Sequence, residues 1–265
     1  MKKTTSLAAR IVLVVIAIYL LVPFVATFVY SLFTEWNTIL PHGFTLRNYS
    51  DLFSDTDFWL AIGRTLILCA VSVILTIILL LLAMYPVTVM NRKLGKYMQI
   101  ICMIPYALQG VILSISIISI YAGADGPLAN RMIMLFGAYS ILVLPYIYQG
   151  LRNSLNAIDA KTLIQAAEVL GCSPFRAYVQ VILPNIFSGI LVSSLLAESI
   201  VFGDFVLANN IAGNNYENVS VYLNENMYTS SGLASAIVVI IFAVVFLVTG
   251  LMLKLQKNES KEGRN

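Results

Sequence analysis

The chain reads as an all-α membrane protein: six transmembrane helices, with a cytoplasmic helix-Gly-helix loop between the fourth and fifth. Three observations predict this. First, 59% of the 265 residues are hydrophobic and only 11% are charged, against about 25% charged in soluble domains, and the mean hydropathy is +0.87. Second, six apolar runs approach the roughly 20 residues that cross a hydrocarbon core. Third, one segment, QAAEVLGCSPFRAYVQVILP from Gln165 to Pro184, breaks the apolar monotony with helical periodicity around a central glycine.

The predicted spans are residues 11–33, 65–89, 98–121, 132–151, 186–208 and 233–253, within a single transmembrane domain of residues 1–265. The first run follows Lys2 and Lys3 but is longer than the core of a signal peptide, and no small-residue cleavage site follows, so it reads as a retained span. Pro23, Pro105 and Pro145 fall inside spans, where neighbouring helices re-satisfy the freed backbone groups. Lysine and arginine set the orientation. Thirteen of the sixteen lie at the termini and in the loops at 90–97 and 152–185; only Arg47, Arg64 and Arg131 lie on the other side. Both termini and the Gln165–Pro184 segment are therefore expected in the cytoplasm.

Composition also excludes functions. A net charge of +3 with no basic run carrying interleaved aromatics argues against nucleic acid. One histidine, His42, and three cysteines, Cys69, Cys102 and Cys172, lack metal-ligand spacing. No phosphate-cradling Gly-x-x-x-x-Gly-Lys-Ser/Thr loop exists, since Leu94-Gly95-Lys96 ends in Tyr97, and no hydrolase or metalloprotease motif occurs. The chain is expected to bind no metal or cofactor and to catalyse nothing itself.

Within the loop, residues 159–184, Asp159 is placed to cap a helix with Leu163, Ala166, Ala167 and Leu170 on one face. Gly171 suits the left-handed residue that ends a helix. Ser173-Pro174 is a fresh N-cap and first-turn pair, the next helix presents Phe175, Tyr178, Val179 and Ile182, and Pro184 marks the turn into span five. Periodicity leaves two readings open: a knob with a compact, small-residue tip that another protein grips, or an amphipathic elbow resting on the bilayer.

The order Gln165-Ala166-Ala167, three residues, Gly171, nine residues, Val181-Ile182-Leu183-Pro184 resembles the cytoplasmic loop signature of binding-protein-dependent ABC importer permeases: Glu-Ala-Ala, three residues, Gly, nine residues, Ile-x-Leu-Pro. Two positions depart. Val181 for Ile is conservative; Gln165 for Glu removes a charge from the face expected to meet the partner. The resemblance implies that Gln165, Ala166, Ala167, Gly171, Ser173, Pro174, Phe175, Leu183 and Pro184 form a coupling helix seated on a cytoplasmic ATPase. It also implies two ATPase copies that bind ATP and Mg, a second permease subunit (the same or a homologous chain), an extracellular or periplasmic solute-binding protein, and a multi-pass place in the bacterial cytoplasmic membrane.

Glu198 and Asp204 in span five are candidates for a solute path, since a carboxylate at bilayer depth is costly and generally faces a cavity or a partner. Six residues apart, they differ by about 240° around an undistorted helix, so they do not share a face. Gln109, Gln149, Tyr106, Tyr146 and Tyr148 are further candidates, with packing as the alternative for the aromatic rings. The Asn-rich segment Asn209–Gly232 reads as an outer loop, either solvated or docked to protein. Glu198-Ser-Ile-Val-Phe-Gly-Asp204 is similar to the spermidine and putrescine branch of the family, which implies a polyamine solute; sulfate, phosphonate, ferric ion and thiamine are the alternatives. A stand-alone secondary transporter or channel is the competing function, and no internal repeat of the kind such proteins carry is evident.

Overall fold

The computed structural model describes residues 7–35, 42–91, 93–108, 110–123, 125–228 and 230–262. Five of its helices are long and apolar enough to cross a membrane: Arg10–Ser31, Thr56–Met90, Arg131–Ala157, Pro174–Gly203 and Ser231–Lys254. A sixth span exists if the bent pair Leu94–Ala107 and Val111–Tyr121 counts as one. The all-α reading thus holds, with one small exception below. The chain divides into two compact units, Met1–Trp59 with Tyr222–Val244, and Leu60–Val221 with Val245–Asn265.

In the first unit, α1 (Leu7–Ser31) runs unbroken through Pro23, and Phe24 packs against Phe242 of α12 (Ser231–Glu262) at 4.9 Å between ring centroids. Beyond α1 the chain forms a two-stranded antiparallel ribbon, β1 (Phe33–Glu35) with β2 (His42–Phe44), in which Phe33 faces Phe44. Residues 36–41 between the strands lie outside the described part. In α2 (Arg47–Ser54) the buried Asn48 amide donates to the Ser31 carbonyl at 3.0 Å and the Phe33 carbonyl at 3.3 Å. Asp55 closes α2. Its Oδ1 accepts from the Asp57 amide at 2.8 Å, and its Oδ2 accepts the Tyr222 hydroxyl at 2.6 Å.

The second unit is built around α6 (Arg131–Ala157), crossed by α9 (Leu183–Gly203). Their crossing is made by two matching small-residue pairs, Gly150 with Ser154 and Gly189 with Ser193. A Cβ on Gly150 would run into Ser193, and one on Gly189 would run into Ser154. In lipid no hydrophobic force drives helices together, so small residues that let backbones meet are the natural adhesive. α3 (Thr56–Tyr85) lies against α6 through hydroxyls: Thr76 Oγ1 is 3.2 Å from the Ser140 carbonyl and Ser140 Oγ 3.4 Å from the Ser72 carbonyl.

Several boundaries differ from expectation. Span three is not one helix. α4 (Leu94–Met103) passes into a 3-10 turn (Ile104–Ala107), and α5 (Val111–Tyr121) leaves at 102°. Pro105 supplies no amide hydrogen, and Gly110 adopts φ 64°, a value that side-chain-bearing residues rarely take. Span five begins earlier than residue 186 and stops earlier than 208. Pro184 does not turn the chain, because a π-helical turn (Tyr178–Ile182) joins α8 (Pro174–Ala177) to α9 without a break. The Leu183 amide reaches back to the Tyr178 carbonyl, so the bond Pro184 cannot make falls at a register change that already loosens the ladder. Span two ends in a similar π turn (Pro86–Met90), closed by the Asn91 amide on the Pro86 carbonyl at 2.9 Å.

The Asn-rich segment is not an irregular loop: its backbone is mostly helical, while Asn209, Asn210 and Asn215 remain exposed. It folds as α10 (Val206–Ile211), a 3-10 turn (Gly213–Tyr216) and α11 (Val219–Asn226), and Leu207, Ala208, Ile211, Asn218, Val219 and Val221 are buried. Several of its polar groups bond within the second unit: Tyr216 donates to the Arg64 carbonyl at 2.9 Å, the Val219 amide donates to Thr65 Oγ1 at 2.9 Å, and Asn210 Nδ2 donates to Ser114 Oγ at 2.8 Å.

Gly150→Val or Gly189→Val should cost about 1–3 kcal/mol, the usual range for overpacking, read as a lower melting temperature of the purified protein. Gly137→Ala, mid-helix with open space around its Cβ, should be neutral or stabilising by up to about 1 kcal/mol. Asp55, held below the usual carboxylate range chiefly by the Tyr222 hydroxyl, contributes stability that is present above its unfolded pKa of about 4. That stability is lost as pH falls through the lower folded value. Tyr222→Phe should flatten this acid limb of the melting-temperature profile; an unchanged limb would show that the contact does not contribute.

Candidate functional site

The loop between the two crossing helices is a helical hairpin. α7 (Ala160–Val169) starts at Asp159, which adopts φ 45°. Asp159 does not cap α7 through its carboxylate, as the sequence suggested; Oδ2 accepts the Thr162 hydroxyl at 2.7 Å instead. The left-handed backbone at Asp159 directs the side chain away from the first-turn amides. At the other end Gly171 takes φ 84°, as expected. The Gly171 amide donates to the Glu168 carbonyl at 2.9 Å and the Cys172 amide to the Ala167 carbonyl at 3.0 Å, the paired bonds of a Schellman cap. Nothing stands within 4 Å of a Cβ on Gly171, so its backbone angle, not crowding, demands glycine. Ser173 then caps the next helix, accepting from the Arg176 amide at 3.4 Å, with Pro174 in the first turn.

The faces of the hairpin differ from the periodicity. α7 buries Ala160, Ile164 and Ala167, while Ala166 is exposed and Leu170 is 88% exposed. In the second helix Ala177, Tyr178 and Ile182 are buried and Phe175 is 60% exposed. Tyr178 holds this helix to α3: its hydroxyl donates to the Leu81 carbonyl at 2.9 Å, and Tyr85 packs edge-on against both Tyr178 and Phe175, at 5.3 and 5.6 Å. What remains at the tip is a cluster of Val169, Leu170 and Phe175, apolar and exposed, with Gln165 and Ala166 exposed beside it. Leu183 is half-buried and Pro184 exposed at the base, on the span itself.

The two carboxylates of span five are separated by the structure. Glu198 sits on the buried stripe of α9 with Ser194, Ala197 and Val201, and is 3% exposed. Neither of its oxygens has a hydrogen-bond partner among the described residues. Asp204 lies where α9 ends and the backbone turns extended. Its Oδ1 accepts from the Leu207 amide at 2.9 Å, capping α10, and from the Tyr139 hydroxyl of α6 at 3.1 Å. Tyr139 is a residue that sequence reasoning missed; a tyrosine within an apolar run gives no sign of its partner. The Gly-x-x-x-Ser pairs of α6 and α9 were missed as well, although that spacing is a readable signal for close helix packing.

The remaining candidates gather at the break in span three. Tyr106 stacks edge-on with Tyr146 at 5.0 Å and accepts from the Gln149 amide at 3.2 Å. Tyr148 is turned the other way and buried. Gln109 lies outside the described residues.

Comparison with known proteins agrees with this arrangement. The trehalose transport system permease protein SugA of Mycobacterium tuberculosis is 31% identical over 231 residues, covering 79% of this chain and 74% of that protein. The sulfoquinovosyl glycerol transport system permease protein SmoH of Agrobacterium fabrum is 26% identical, covering 80% and 75%. The putrescine transport system permease protein PotI of Escherichia coli is 24% identical, covering 77% and 74%. Among solved structures, a bacterial ABC transporter involved in the import of the acidic polysaccharide alginate matches with a TM-score of 0.65 over 96% of this chain and 99% of that one, at 16% identity, a likeness of fold. Residues 80–259, from the end of α3 to the end of α12, match the family described as binding-protein-dependent transport system inner membrane component. The chain belongs to that family and is a multi-pass permease subunit of an ABC importer, not an enzyme.

Proposed function

We propose that the hairpin of residues 159–184 is the coupling element through which a cytoplasmic ATPase drives this subunit, and that the cargo is a saccharide. The observation that carries the first part is the exposed apolar tip, Val169, Leu170 and Phe175, held out by a Schellman cap and an aromatic clasp on α3. Apolar side chains presented on a rigid support in water are stabilised by a partner groove. The lysine and arginine distribution supports a cytoplasmic hairpin with both termini on the same side. ATP and Mg are then bound by two ATPase subunits, a second permease completes the pathway, and an external binding protein delivers solute. Closing of the ATPases moves the hairpin as a rigid body and with it α6 and α9, which cross through Gly150 and Gly189.

The saccharide reading is favoured over the polyamine one by two features. The permeases named for trehalose and sulfoquinovosyl glycerol match at higher identity than the one named for putrescine. Asp204, which a polyammonium solute would need, is already engaged as a helix cap and by Tyr139. Glu198 supports the second reading, because a buried carboxylate without a partner costs free energy that a solute or a subunit contact relieves.

Leu170→Asp and Gly171→Pro should each abolish co-purification of the ATPase while membrane insertion, followed by fractionation, is retained. Normal ATPase retention and solute uptake in both variants would overturn the coupling role. Mass spectrometry of solute carried by the co-purified binding protein should find a saccharide; a polyamine would reverse the cargo assignment and leave the permease assignment standing.

A further inference from the structure

A cavity of about 690 Å³ opens where α3, α4, α6 and α7 end together, within the range of 300–1,000 Å³ typical of ligand pockets. Lys96, Arg152 and Lys161 line it. Among the described residues none of the three forms an ion pair. The one carboxylate on the wall, Asp159, is taken up by Thr162. Tyr148 is 2% exposed and also lines the cavity, and its hydroxyl has no hydrogen bond among the described residues. The first turns of α4 and α7 reach the same wall at Gly95 and Ala160, and no side chain caps either helix. Three cations against one carboxylate leave this wall net positive.

A second cavity of about 400 Å³ adjoins the first and shares Val87 with it. Its walls are apolar throughout, with Leu79, Ala83, Met98, Ile101 and Leu144 among them. The π turn Pro86–Met90 forms the partition, with Val87 on both sides. A cationic pocket beside an apolar groove on a membrane span, with Val87 lining both, matches an amphiphile whose head is anionic.

We infer that this pair of cavities is a binding site for an anionic phospholipid, its phosphate held by Lys96, Arg152, Lys161 and the Tyr148 hydroxyl, and an acyl chain lying along the groove. The orientation proposed above bears only on which leaflet supplies the lipid. Occupancy ties the first turn of α7 to α3 and α4, at the root of the hairpin.

The test uses the whole importer, purified in detergent and stripped of lipid. Phosphatidylglycerol, phosphatidylcholine and inorganic phosphate are titrated separately, with binding read by native mass spectrometry and by melting temperature. Phosphatidylglycerol should bind in preference to phosphatidylcholine. Lys96→Gln and Lys161→Gln should each weaken it about fivefold, and Ala83→Phe, which fills the groove, should weaken it without affecting the phosphate response. Equal binding of the two lipids, or indifference to all three substitutions, would overturn the site. Saturation by inorganic phosphate alone, with Ala83→Phe silent, would overturn the lipid assignment in favour of a soluble anion.

Discussion

The close crossing of α6 and α9 is the constraint on which the rest of the second unit depends. Gly150 and Gly189 let the two backbones approach until each glycine meets the other helix's serine. Helices in lipid gain little from burying leucine against leucine rather than against acyl chains, so contact distance and hydrogen bonding decide which pairs stay together. The hairpin of residues 159–184 joins these two helices, and its position is inherited from their crossing.

The hairpin itself combines two opposite requirements. Its inner face is fastened, by Ile164 and Ala167 in α7 and by the Tyr178 hydroxyl on the Leu81 carbonyl. Its tip is left open, with Leu170 and Phe175 exposed. Gln165, where the signature that this loop resembles has glutamate, sits on the exposed side and brings no charge to it.

Glu198 and Asp204 illustrate how neighbouring carboxylates acquire different roles. Asp204 occurs where the helix stops, so free amides and the Tyr139 hydroxyl are within reach. Glu198 lies inside the ladder, where every nearby backbone group is already bonded, and its oxygens meet none. Asp204 is therefore a structural joint between α9 and α10, whereas Glu198 is buried without a hydrogen-bond partner among the described residues.

Much of this was legible in the residues. Apolar runs of about 20 residues located the spans, because the bilayer imposes a length. Gly171 and Ser173-Pro174 announced the hairpin, because left-handed backbone and a fixed φ are demands that few residues meet. The breaks in span three and at Asp204, the folding of the Asn-rich segment, and the inner face of α7 were not legible. Each depends on what lies opposite: periodicity marks the most apolar stripe of a helix, but the neighbours decide which stripe is covered. Local chemistry dictates how far a segment extends and where it bends. Only the packed chain settles which face touches which, because that choice is a competition among surfaces distant in sequence.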